Sequence, residues 1–147
     1  MNSKPLKILL ADDDSDDCLF YKKALEDLLL PTQLTIVEDW EQLMNNLSRN
    51  SKNLPDILFL DLSMPRKNGF ECLTEIKESE KLKDLIVIVF STSFPRDMIY
   101  EDNMIKLLLK LGAYDYIRKS GDMAQLTQVN HNTLNMVAES HLQKRKG

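Results

Sequence analysis

Ile57-Leu58-Phe59-Leu60-Asp61 sets four consecutive apolar residues directly before one carboxylate, and Ile8-Leu9-Leu10-Ala11 runs in the same way into Asp12-Asp13-Asp14. An apolar run that does not alternate suits a strand buried on both faces, and such strands belong to parallel sheets covered by helices. Outward from these two, similar runs stand at Leu34-Thr35-Ile36-Val37, at Ile86-Val87-Ile88-Val89-Phe90 and, more weakly, from Tyr114 to Ile117. Helical patterns at 15–30, 40–50, 69–79, 97–111 and 122–143 separate and follow them. Ser15 is placed to cap the first helix, with Asp16 and Asp17 complementing its positive end. Gly112 stands where a left-handed terminator of the fourth helix is expected. Five strand-then-helix units predict a doubly wound α/β fold: a parallel sheet with helices on both faces.

The 147 residues suit one domain, and 43% hydrophobic content is enough for a core without staples. The two cysteines, Cys18 and Cys72, have no metal-ligand spacing and read as thiols of a reducing compartment, which predicts a cytoplasmic protein. The N-terminal residues Met1 to Pro5 lead into a strand-like run and not a signal-peptide core, and no stretch approaches a membrane span. A net charge of −4 argues against direct nucleic-acid binding, whose footprint is a basic face. Asp12, Asp13, Asp14, Asp16 and Asp17 alone carry −5, so the negative charge is gathered in one short segment.

In folds of this class ligands bind at the carboxyl ends of the strands. The polar residues following the apolar runs are Asp12, Asp13 and Asp14, then Asp61, then Ser91 and Thr92, then Arg118 and Lys119. Close carboxylates repel unless a proton or cation intervenes, and a small set of hard oxygen ligands suits Mg²⁺. With Lys119 and Ser91 opposite, such a site leaves room for a dianionic group and fits phosphoryl transfer, with Asp61 able to form an acyl phosphate. Taken singly, each feature has a plainer explanation. An Asp run before a helix is a cap with solvated neighbours, Asp61 ends a strand in a turn, Lys119 is a surface lysine, and Ser91 satisfies backbone. Their joint placement at the ends of successive strands carries the functional reading.

These residues closely resemble the receiver domain of bacterial two-component response regulators. The resemblance rests on Ile8 to Asp14, on Pro55 to Pro65 with Asn68-Gly69-Phe70-Glu71, and on Gly112 to Lys119. It implies a stand-alone, chemotaxis-regulator-like receiver with a flavodoxin-like sheet in the order 2-1-3-4-5. It also implies that Asp61 is the phosphoacceptor, supplied by a sensor histidine kinase or a histidine phosphotransfer protein. Mg²⁺ would be bound by Asp13 directly and Asp12 chiefly through water, with Asp61 and the backbone carbonyl of Ser63 completing the protein ligands. Lys119 would pair with the phosphoryl oxygens and, before phosphorylation, with Asp61. Ser91 matches the switch hydroxyl and Tyr116 the aromatic that moves inward behind it. Asp14 falls where the family varies and is read as a cap or a solvated residue. Ser63 and Ser93 fall at variable positions that tune the phosphoryl lifetime.

Three departures stand out. Ser120 follows Lys119 where the family usually has Pro, often on a cis bond; a non-Pro cis bond costs about 2.5–4 kcal/mol, so a trans loop of different shape is expected. The same Lys-Ser pair is familiar in regulators similar to the phytochrome partners. Thr92 replaces a small residue and narrows access to Asp61. The segment from Ser91 to Gly112 is longer than usual by one to two helical turns, its excess within Phe94 to Lys106.

Met98, Ile105, Leu108 and Leu109 read as a core stripe, with Met104 and Tyr100 as a contact patch. In the last helix Leu126, Val129, Met136 and Val137 are expected on the sheet, and His131 and His141 on the surface. Cys18 reads as a small buried residue. One receiver with a core of about 6–143 and no output domain is therefore expected, its signal leaving through a protein-binding surface to a downstream partner or a phosphorylation-dependent homodimer. Two rivals are a degenerate receiver that binds partners without phosphorylation, and a Mg²⁺-dependent phosphatase of the haloacid-dehalogenase type. The phosphatase needs a second Asp two positions after its nucleophile, where Ser63 stands.

Overall fold

Five parallel strands pair in the order β2-β1-β3-β4-β5, with β1 at Leu6–Ala11, β2 at Thr32–Val37, β3 at Ile57–Leu60, β4 at Val87–Thr92 and β5 at Asp115–Lys119. Between them run α1 (Ser15–Glu26), α2 (Trp40–Arg49), α3 (Gly69–Glu78) and α4 (Met98–Lys110), and 130–137 are helical, here α5. This computed structural model describes residues 5–28, 30–49, 52–62, 64, 69–92, 98–119, 127–128, 130–137 and 139, with backbone only at 92 and 98–100.

The strands fail to alternate because both faces of the sheet are covered. Leu9, Ala11, Leu58, Leu60, Val87 and Val89 point to one side, into a core closed by Leu43 and Leu47 of α2, Cys72, Leu73 and Ile76 of α3, and Leu108 of α4. Ile8, Leu10, Ile57, Phe59, Ile88 and Phe90 point to the other, against Cys18, Tyr21 and Leu25 of α1 and Leu134 and Val137 of α5. Tyr21 meets Phe59 and Phe90 with ring centroids 5.0 and 5.5 Å apart, in tilted and edge-on arrangements that suit aromatic quadrupoles.

Several element ends differ from the sequence reading. The first helix stops at Glu26, short of residue 30, its end tightened by the Leu28 amide donating to the Leu25 carbonyl, and Pro31 keeps residue 30 out of the helical region. Its cap is Asp14 and not Ser15: the Asp14 side chain accepts the amides of Asp16 and Asp17, and Ser15 is already helical. Ser91, Thr92, Arg118 and Lys119 do not follow their strands but end them, since the β4–β5 ladder continues through Ser91↔Arg118 and Thr92↔Lys119. Gly112 has φ +115° as expected. Its amide donates to the Leu109 carbonyl and that of Ala113 to the Leu108 carbonyl, the paired bonds of a Schellman end.

Leu109 and Met136 are 45% and 55% exposed, against the expectation of core. At 100° per residue each lies beside the buried stripe, which runs through Leu108 in α4 and through Leu134 and Val137 in α5. Cys18 is buried and His131 exposed, as expected. Ile105 and Met104 are half-buried. Ser63, Ser93, Phe94 to Asp97, Ser120 and with it the Lys119–Ser120 bond, Leu126, Val129 and His141 lie outside the described residues, as do the side chains of Thr92, Met98 and Tyr100.

Candidate functional site

Register places the carboxylates together. Ala11 pairs with Leu60 across β1 and β3, so Asp12 and Asp61, each one residue farther on, emerge level with one another. The ladder extends to both: the Asp12 amide donates to the Val37 carbonyl at 3.0 Å and the Asp61 amide to the Ala11 carbonyl at 2.9 Å. Asp12 is 0% and Asp61 4% exposed, whereas Asp13 faces solvent. One oxygen from each of Asp12, Asp13 and Asp61 lies within 4.8 Å of the other two. Three hard anionic oxygens at that spacing, one on the open side, fit a divalent cation that keeps part of its water.

Lys119, at the end of β5, reaches into this cluster. Its Nζ donates to Asp12 Oδ2 at 2.6 Å and to Asp17 Oδ2 at 2.8 Å, and lies 3.5 Å from Asp61 Oδ2. It also sits 5.3 Å from the centroid of the Phe90 ring, which supports the cation from below. Burial works against the ammonium, but its bonds to Asp12 and Asp17 and the charge of Asp61 outweigh that and hold its pKa above the usual lysine range. Asp12 shows the reverse balance. Burial raises its pKa from 3.8 to about 6, against the lowering effect of Lys119 and of the Asp14 amide, which donates to Asp12 Oδ1 at 3.0 Å.

Other members of the site fall where the strands deliver them. Ser91 is buried one residue farther along the sheet edge than the level of Asp61. Tyr116, opposite Val89, is half-buried against the core beneath α3 and α4, and burial raises its hydroxyl pKa. Cys18 lies under the site: its Sγ is 3.6 Å from the Asp12 carbonyl, and burial, then the Asp12 charge, pushes the thiol up to about 11. At the start of α3 the Gly69 amide donates to the Leu62 carbonyl at 2.9 Å. A Cβ on Gly69 would stand 2.7 Å from Leu62 Cα and 2.9 Å from the Asp61 carbonyl, so the helix approaches the Asp61 turn only because the residue is glycine.

Asp17 is the Lys119 contact that the sequence reading does not supply. Its spacing of three from Asp14 was visible, but with Ser15 read as the cap it served only as a charge on the helix dipole. Arg118, beside Lys119, turns the other way and pairs with the buried Glu101 of α4.

A sequence profile described as the response regulator receiver domain matches residues 8–131. The chain is 31% identical over 100 residues to the response regulator Rcp1 of Synechocystis, an alignment covering 65% of this chain and 68% of that one. It is 26% identical over 122 residues to a probable methanogenesis regulatory protein, FilR2, of Methanothrix harundinacea, covering 79% of each. Among solved structures it superposes on a phosphorylated cyanobacterial phytochrome response regulator, RcpA, with a TM-score of 0.74 at 30% identity, over 93% of this chain and 96% of the other. The Mn²⁺-bound form of Rcp1 gives 0.72 at 25% identity, over 87% and 91%. Among the described residues no helix is long and apolar enough to cross a membrane.

Proposed function

Because the chain belongs to the response regulator receiver family, we propose that Asp61 takes a phosphoryl group from a phosphohistidine on a sensor histidine kinase or histidine phosphotransfer protein. Receivers are phosphoacceptor signalling modules and not enzymes that turn over an external substrate. The observation that carries the reading is the convergence of Asp12, Asp13 and Asp61 within 4.8 Å, with the Lys119 ammonium 3.5 Å from the acceptor.

An Asp61 oxygen attacks phosphorus in line, the phosphorus–nitrogen bond breaks, and the electron pair leaves with the imidazole. A bound Mg²⁺ supplies neutralisation of the charge on the transferring group. Asp13 would hold that ion directly and Asp12 mainly through water, with Asp61 and the carbonyl of Ser63 completing the protein's share. Both oxygens of Asp12 already accept hydrogen bonds, from the Asp14 amide and from Lys119, which supports a water-mediated role. Lys119 lies close enough to follow the phosphoryl oxygens once they are on Asp61. Ser91 then turns toward the phosphoryl group and Tyr116 moves into the space behind it. Water attack on phosphorus restores the carboxylate. The altered face beside β5 engages a downstream protein or a second copy, in the cytoplasm.

The test is intact-mass measurement after incubation with Mg²⁺ and a small phosphodonor. One phosphoryl adduct is expected, absent in Asp61→Asn and absent without divalent metal. No adduct from a small donor or from a histidine kinase would favour the degenerate receiver. Steady turnover of an external phosphate ester would favour the phosphatase.

A further inference from the structure

We infer that Asp17 is a positioning residue that holds the Lys119 ammonium away from Asp61 and so slows phosphoryl uptake; the inference rests on Asp61 being the acceptor. Asp17 is the third residue of α1, three positions past the Asp14 cap. A Glu or Gln there ordinarily folds back onto the amide of the cap. Here that amide is taken, because Asp14 N–H donates to Asp12 Oδ1. The Asp17 amide is held by Asp14 Oδ1 at 3.1 Å, so its backbone is fixed while its side chain is released toward β5. A closed ring of hydrogen bonds results, from Asp12 through Asp14 and Asp17 to Lys119 and back to Asp12.

Lys119 thus makes hydrogen bonds at 2.6 and 2.8 Å to Asp12 and Asp17, while Asp61 stands at 3.5 Å. Of these three carboxylates Asp17 alone lies outside the cluster that fits a cation. Its side chain is 37% exposed, so it also adds a negative charge at the rim that an anionic donor must pass. Removing that charge frees the ammonium to move over Asp61 and lessens repulsion of the donor, and both effects act in the same direction.

Asp17→Asn should gain the phosphoryl adduct about five-fold faster than the parent at subsaturating small donor, the size expected for a partly exposed charge-assisted bond. Asp17→Glu, which keeps the charge, should return toward the parent rate. An unchanged or slower rate in Asp17→Asn would overturn the inference, since a role confined to the helix end would lower stability without speeding uptake. A second readout does not depend on transfer: the NMR signal of the ¹⁵N-labelled Lys119 ammonium should move more in Asp17→Asn than in Asp61→Asn. A signal unmoved in Asp17→Asn overturns the inference. A parent that takes no phosphoryl group while the signal moves instead counts against the acceptor role of Asp61.

Discussion

Replacing Lys119 by Met keeps the apolar length of the side chain and removes the one ammonium that Asp12, Asp17 and Asp61 share. At 2.6 Å and an effective dielectric of about 20, the Lys119–Asp12 attraction alone is roughly 6 kcal/mol before desolvation is subtracted. Losing one partner of a buried pair costs about 3–5 kcal/mol, and the lower end applies here because Asp12 can escape by taking a proton. The pH dependence follows from that escape. Asp12 has a folded pKa of about 6 against 3.8, so its burial penalises the folded state increasingly as pH rises from 3.8 to 6 and levels off above. Without Lys119, whose hydrogen bond and charge lower it, the folded pKa rises further and the penalty keeps growing above pH 6. Lys119→Met should therefore lose about 3 kcal/mol in urea unfolding at pH 7 with chelator present. At pH 5, where Asp12 in the folded protein is largely protonated with or without Lys119, the loss should be smaller. Added Mg²⁺ should restore more stability to the variant than to the parent, because Lys119 no longer competes with the ion for Asp12 and Asp61. A loss below about 1 kcal/mol, or the same loss at both pH values, would exclude a buried Lys119–Asp12 pair that holds Asp12 charged.

Gly69→Ala should cost about 2 kcal/mol by overpacking and slow phosphoryl uptake, because the added Cβ meets backbone of Leu62 and Asp61 and not a yielding side chain; urea unfolding and adduct kinetics check both. Affinity for Mn²⁺ or Mg²⁺, followed by calorimetry, should fall about ten-fold from pH 7 to pH 5, as one proton competes for Asp12 with its pKa near 6. Cys18, buried and with its thiol pushed up to about 11, should resist iodoacetamide at pH 8 in the folded protein and react on unfolding.

The sheet was legible because its strands are covered on both faces, so runs such as Ile57 to Leu60 announce themselves without alternation. The carboxylates were legible for a related reason: a parallel ladder brings residues at equal distance past their strands to one level, as Asp12 and Asp61 are. Local competition was less so. Asp14 and Ser15 are both good caps, and nothing in their order says which one turns the chain; choosing Ser15 hid the reach of Asp17 to Lys119. Helix faces were blurred in the same way. Leu108 and Leu109 are equally apolar and one is core, a difference decided by which face of α4 meets the sheet and not by composition. Nor could strand ends be placed, since Ser91, Arg118 and Lys119 are polar yet stay in the ladder for the sake of its hydrogen bonds.

Asp61 is the proposed acceptor among the carboxylates gathered at the strand ends. Borohydride reduction of the phosphorylated protein converts an aspartyl phosphate to homoserine, and peptide mass mapping then locates the residue. Homoserine is expected at position 61, with intact aspartate at Asp12, Asp13 and Asp17. Homoserine at any of those three, or a stable phosphate ester on Ser91 with Asp61 unchanged, would contradict it.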